Sequence, residues 1–182
     1  MVRQLGAFEL TAVPVPAPGP GEVLVRVAVA GLCRTDLKLI ESGHRDLVLP
    51  RIPAEEVVGT VCRLGAGTDG AWLGRRVYLY PGTSCGLCPP CAAGAGNLCL
   101  TMRIMGFHRD GGFAQYVAAP AASLLELPRS LPFEQIATTR DAGQERRRFL
   151  RVLAGCGPVA CEDFTCANAA AVLQCSSPER GV

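Results

Sequence analysis

Aromatic rings and histidines are scarce in this chain. Aromatic residues make up 5% of its 182 positions, and the 2 histidines are His44 and His108. Any core therefore has to be assembled from Val, Leu, Ala and Ile, which suits a β-rich body. Each histidine stands alone as a candidate metal ligand, where a hydrogen-bonded or exposed position is the commoner fate. Long apolar runs are also missing: none approaches the roughly 20 residues that a bilayer span requires. The net charge is +2 with no block of five or more like charges, so there is no electrostatic case for nucleic acid or an anionic membrane as partner. The opening MVRQLGAFEL lacks the apolar stretch of a secretory leader. With 10 cysteines, that points to a reducing compartment and metal chemistry, and a soluble cytoplasmic location is expected.

What the chain does have is SCGLCPPCAAGAGNLC. Cys85, Cys88 and Cys91 recur at every third residue and Cys99 closes the run after a short small-residue stretch. Four thiolates can hold Zn²⁺ tetrahedrally at about 2.3 Å. A loop without helix or strand of its own can fold around such an ion, because binding supplies the ordering energy. Gly86, Gly94 and Gly96 ease the turns, and Pro89 and Pro90 reduce the entropy to be lost. Two disulfides would use the same residues, a reading weakened by the missing leader, and an iron–sulfur cluster would accept the same four thiols.

Elsewhere the pattern is of short strands broken by Gly and Pro. A strand-like start leads into PVPAPGPGE, an extended proline-rich lead-in. In EVLVRVAVAGL the alternation predicts a strand with Val23, Val25, Val27 and Val29 on one face. CRTDLKLI has helical spacing with Thr35 or Asp36 as cap, which places Cys33 just ahead of a short helix. VVGTVCRLG, RRVYLYPG and FAQYVAAPAASLLELP read as further strands. From Thr138 the texture changes to an Arg-rich and then Cys-scattered tail. Helices are expected there from Ala142 to about Val152 and from Ala167 to Leu173.

Four stretches occur in one order: GLCRTD (Gly31–Asp36), LPRIPAEEVVG (Leu49–Gly59), the four-Cys loop, and MGFHRDGGFAQYV (Met105–Val117). Together they resemble the N-terminal, GroES-like catalytic domain of the zinc-dependent medium-chain alcohol dehydrogenases. The resemblance implies a mainly β fold, a GroES-like partly open β-barrel with a structural zinc loop and a short irregular or helical C-terminal tail. It divides the chain into residues 1–137, the barrel domain, and 138–182, a truncated or divergent tail. It also favours zinc over an iron–sulfur cluster at Cys85, Cys88, Cys91 and Cys99.

The family's second zinc is catalytic and polarises an alcohol or carbonyl oxygen during hydride transfer with NAD(P). The resemblance maps its first ligand to Cys33, the proton-relaying hydroxyl to Thr35, and a supporting carboxylate to Asp36; Arg34 replaces a glycine. A structural alternative for Cys33 is a small buried hydrophobe. Where the family carries Gly-His-Glu, this chain has Ala54, Glu55 and Glu56. Glu55 thus occupies the histidine position, a carboxylate that still ligates zinc but alters charge and reach, and Glu56 matches the family glutamate. For the third ligand Asp141 and Glu145 are candidates by position alone. Arg75 stands where the family has Asp. FLRVLAGCGPVA resembles the opening strand and glycine turn of a dinucleotide-binding fold, with Gly155 and Gly157 as weak cofactor-binding candidates and Ala160 as the third small residue. Little chain follows it, so the cofactor domain is expected to be largely missing and NAD(P) not to be bound. The resulting expectation is a zinc-binding, alcohol dehydrogenase-like protein, inactive as an isolated chain, with a small alcohol or carbonyl substrate if active. The alternative is a non-catalytic zinc-stabilised fragment or interaction module. An oligomer or a protein partner is expected to cover the apolar surface such a fragment exposes.

Overall fold

The computed structural model describes residues 1–130 together with Pro132 and Phe133. The tail helices, Asp141, Glu145, Gly155 and Gly157 lie outside the described residues. Strands β1 (Val2–Gln4) and β2 (Ala7–Phe8) form a small hairpin. After the proline lead-in come β3 (Glu22–Gly31), helix α1 (Arg34–Ser42), β4 (Glu56–Leu64) and β5 (Arg76–Leu79). Then follow β6 (Gly82–Thr83), the one-turn helix α2 (Pro89–Ala92), β7 (Arg103–Ile104), β8 (Tyr116–Pro120) and β9 (Leu124–Glu126). The main sheet is antiparallel throughout, in the order β8-β3-β4-β5-β9, while β6 and β7 pair separately at the base of the cysteine loop.

Register shows why this sheet is curled into a partly open barrel. Pro120, at the end of β8, pairs with Glu22 at one end of β3. Leu124, the first residue of β9, pairs with Leu79, which pairs with Val57, which pairs with Ala30 at the other end of β3. A flat sheet would hold Pro120 and Leu124 roughly 30 Å apart, from four inter-strand spacings and the length of β3. Only the turn Ala121–Ser123 joins them, and that much chain reaches at most about 14 Å. The sheet therefore rolls up. Its edges β8 and β9 do not pair with each other, so it is not closed.

The interior is aliphatic, as the shortage of rings requires: Val23, Val25, Val57, Val61, Val77, Leu79, Val117 and Leu124 pack together with Met105 and Ala119. The expected single face of β3 is corrected at one residue. The register shifts between Val27 and Val29, and this bulge turns Val29 out of the barrel to pack with Val58, against Tyr78, Leu127 and Phe133. A β-bulge adds one residue to one strand and so reverses the alternation beyond it. Gly59 faces Val27 at this point. A Cβ there would lie 2.2 Å from the Arg26 carbonyl oxygen, so the close approach of β3 and β4 needs glycine. A third cluster, Ala30, Leu32, Ile52, Ala54 and Phe113, lies at the end of β3 that leads into α1.

The candidate metal centre and the wall around Cys33

The four cysteines of the loop converge. Among the described residues they are the group of three or more His, Cys, Asp or Glu side chains with potential ligand atoms all within 4.8 Å of one another. The Cys88 and Cys91 sulfurs are 3.4 Å apart, and those of Cys88 and Cys99 are 3.9 Å apart. Sulfurs at the corners of a tetrahedron about 2.3 Å from zinc would be about 3.8 Å apart, so the cage fits zinc. The loop is more structured than expected. Cys88 caps α2, whose first two positions are Pro89 and Pro90; proline is favoured there because its missing N–H is not needed and its φ is already helical. Gly86 and Gly94 adopt φ of 73° and 79°. Backbone N–H groups of Cys85 and Cys88 point at the sulfurs of Cys99 and Cys85, at 3.2 and 3.4 Å.

Those contacts polarise the quartet. The N–H groups of Leu87 and Cys88 draw the Cys85 thiol down to about 6. Burial and thiol contacts from Cys88, Cys99 and Cys85 push Cys91 up to about 11. Without a cation the cage thus holds negative charge unevenly, and a divalent ion is what allows four thiolates to coexist.

The second group of candidate residues sits at the start of α1. The cap is Cys33 itself rather than Thr35 or Asp36. Asp36, in the first turn, reaches back to accept the Cys33 N–H at 2.9 Å, and its other oxygen accepts the Ala54 N–H at 3.0 Å. This fully buried carboxyl clamps the helix start to the loop carrying Glu55 and Glu56. Burial raises its pKa, while the bonds from Cys33 and Ala54 oppose the rise. On its far side that loop is stitched to the Gly-Gly turn: Gly111 N–H donates to Ile52 O at 2.7 Å and Phe113 N–H to Pro53 O at 3.1 Å. A Cβ on Gly111 would sit 2.2 Å from the Ala54 oxygen. Ala54, where the family motif has glycine, is held at φ 85°, a left-handed conformation that an L side chain adopts at a cost.

Burial, and then the negative Asp36, raise the Cys33 thiol pKa. Glu55 is pushed up to about 7 by burial and by the neighbouring Asp36 and Glu56. Its Oε1 is buried and meets no hydrogen-bond donor among the described residues. Asp36 ties the backbone of Cys33 to the segment that carries Glu55 and Glu56, but among the described residues these three side chains are not gathered as the four loop cysteines are. Neither histidine joins them through the ring nitrogen that is engaged: His44 Nδ1 accepts from Asp46 N–H at 3.2 Å and His108 Nδ1 from Ile104 N–H at 2.9 Å. Arg75 makes contacts of its own in place of the family aspartate, a 2.7 Å pair with Glu126 and a 3.0 Å bond to the Ala71 carbonyl. Beside α1 is a surface cleft of about 420 Å³ lined by Arg34, Thr35, Lys38, His44 and Phe107, among others. Lys38 and Phe107 were missed in the sequence, although Arg34 and Lys38 are one helical turn apart and share a face by spacing alone. Among the described residues no helix is long and apolar enough to cross a membrane.

Comparison with known proteins agrees with this geometry. Residues 19–129 match the family model of the alcohol dehydrogenase GroES-like domain. The chain is 32% identical over 147 residues to the starvation-sensing protein RspB of Escherichia coli, covering 76% of this chain and 43% of that protein. It is 36% identical over 138 residues to an alcohol dehydrogenase of Geobacillus stearothermophilus, covering 72% and 40%. Among solved structures, a cobalt- and zinc-bound thermostable alcohol dehydrogenase from Pyrobaculum aerophilum superposes with a TM-score of 0.70 at 30% identity, covering 76% of this chain and 43% of that one. The chain thus spans about two fifths of the length of these relatives. The matched span contains both the cysteine cage and the Cys33 wall, and the chain belongs to the alcohol dehydrogenase GroES-like domain family.

Proposed function

We propose that this chain is the zinc-stabilised, substrate-facing half of an alcohol dehydrogenase-type oxidoreductase, one that exchanges hydride between a small alcohol or carbonyl compound and NAD(P). We further propose that it is inactive as a dehydrogenase when isolated. The observation that carries the first part is the clamp by which Asp36 holds Cys33 against the loop of Glu55 and Glu56. A second zinc at Cys33 and these carboxylates would supply Lewis-acid polarisation of the substrate oxygen. In this reading the Thr35 hydroxyl receives the substrate proton and Asp36 orients the helix start. Residues 1–137 are the working domain and residues 138–182 a divergent tail.

A second reading, a non-catalytic zinc-stabilised module, draws support from Glu55. A carboxyl with one oxygen buried and undonated has replaced the expected imidazole, and a neutral carboxyl is a poor zinc ligand. Metal analysis after gentle purification separates the readings. About one zinc per chain supports a structural ion alone and an inactive chain, about two restores the catalytic site, and none contradicts both. Fluorescence titration with NADH is the companion measurement, where micromolar binding would contradict the inactive reading.

A further inference from the structure

A second cavity, of about 520 Å³, lies between the proline lead-in and strand β8, and none of Cys33, Thr35, Glu55 or Glu56 lines it. That volume is within the range of small-molecule sites. Two guanidiniums, those of Arg103 and Arg109, belong to its lining. Nη1 of Arg109 is buried and has no hydrogen-bond partner among the described residues. The carboxylate facing it, Glu22, stands 3.8 Å away, beyond hydrogen-bond reach, and the other Glu22 oxygen already accepts the Gly19 N–H at 3.0 Å. Burial lowers the Arg109 pKa; Glu22 opposes the fall and the positive Arg103 adds to it. Arg103 is exposed and, among the described residues, forms no ion pair; its guanidinium meets the His108 carbonyl at 3.5 Å. Asp110, the other acid of the lining, is committed elsewhere: its Oδ1 accepts from Arg51 Nη1 at 3.1 Å and from the Ile52 N–H at 3.0 Å. Two guanidiniums therefore face one available carboxylate, and a positive charge is left over. Val13, Pro14, Pro16, Ile52 and Val117 add apolar surface to the same space.

We propose that this cavity binds a small monocarboxylic acid, its carboxylate on Arg103 and Arg109 and its aliphatic chain against the proline lead-in. A carboxylate brings two oxygens to a guanidinium fork and the single negative charge that the pair lacks. A phosphate dianion would set a second charge against Glu22 and Asp110, and a neutral alcohol would leave the cationic surplus in place. Binding here depends neither on hydride chemistry nor on a second zinc.

The test is a titration of the full zinc-loaded chain followed by ¹H–¹⁵N spectra, with hexanoate, 1-hexanol, acetate, inorganic phosphate and an acetylated tripeptide bearing a free C-terminal carboxylate as probes. Hexanoate is expected to shift the amides of Arg109, Tyr116 and Val117 saturably and to bind roughly tenfold or more tightly than 1-hexanol, acetate or phosphate. Arg103→Gln should erase most of its preference over 1-hexanol, and because Arg103 is exposed the thermal melt of this variant should match the parent. Arg109→Lys keeps a charge opposite Glu22 but loses the fork, and should weaken hexanoate severalfold. The proposal is overturned if 1-hexanol binds as tightly as hexanoate, if acetate or phosphate does so, or if the shifts map away from this cavity. Hexanoate affinity unchanged in both variants would overturn it too. Tighter binding of the tripeptide than of hexanoate would assign the cavity to a chain end and equally overturn the small acid. Failure of the dehydrogenase reading would appear separately, in zinc stoichiometry, without altering these spectra.

Discussion

Two adjacent side chains, Ala54 and Glu55, carry most of the local tension in the site. Ala54 holds φ 85° because its N–H is committed to Asp36 and its carbonyl to the Gly111–Gly112 turn. Ala54→Gly should stabilise the fold by about 0.5–1 kcal/mol, relief of left-handed strain exceeding the added unfolded-state entropy; a lower urea midpoint would contradict this. Glu55 gives a pH signature. Its carboxyl pKa rises on folding from 4.5 to about 7, so between those values the folded chain binds more protons than the unfolded one. Stability should then fall as pH rises from about 4.5 to about 7 and level off above, with no metal bound at this wall. Glu55→Gln should flatten that slope and raise the melting temperature at pH 8. An unchanged slope would mean that Glu55 does not titrate as described.

At the scale of elements, legibility followed the range of the interactions. The cysteine quartet was readable because its geometry is written within fifteen residues of local spacing. Strand β3 followed from its alternating valines, and β4 and β5 from short strand-like stretches set off by glycine and proline. The bulge that redirects Val29 was hidden, since valine suits either face of a sheet and the two-for-one pairing involves the opposite strand. Equally hidden was the Asp36 clamp, which joins residues 18 apart in sequence. Helix α2 was overlooked because its prolines read only as limiting the entropy of a loop until their place at the helix start is known. The two cysteine groups should respond differently to substitution. Cys88→Ser removes one of the four converging sulfurs at the residue that precedes α2, and should destabilise the chain by several kcal/mol and release zinc. Cys33→Ser keeps the backbone N–H that Asp36 accepts and should melt within a few degrees of the parent. Equal losses in thermal melts of the two variants would refute this division between a structural and a functional thiol.

For the molecule as a whole, the turn Ala121–Ser123 decides the architecture. It is anchored on both sides: Ala121 N–H donates to Gly21 O at 2.9 Å, and Ser123 O accepts the Tyr80 N–H at 2.8 Å. Strands β8 and β9 lie at opposite edges of the sheet yet are consecutive in the chain, so their openings should be coupled. Native-state hydrogen exchange should give amides of Val117–Ala119 and of Leu124–Glu126 opening free energies within about 1–2 kcal/mol of each other. Independent fraying of β9 would contradict that. The same turn bears on self-association. Exposed margins of a sheet invite templated growth by foreign chains, and Leu125 on β9 is 54% exposed, an apparent foothold. Here both margins are drawn to a common corner, so an invading segment meets a short, bent docking line instead of a long straight one, and runaway fibre growth from this domain is sterically discouraged.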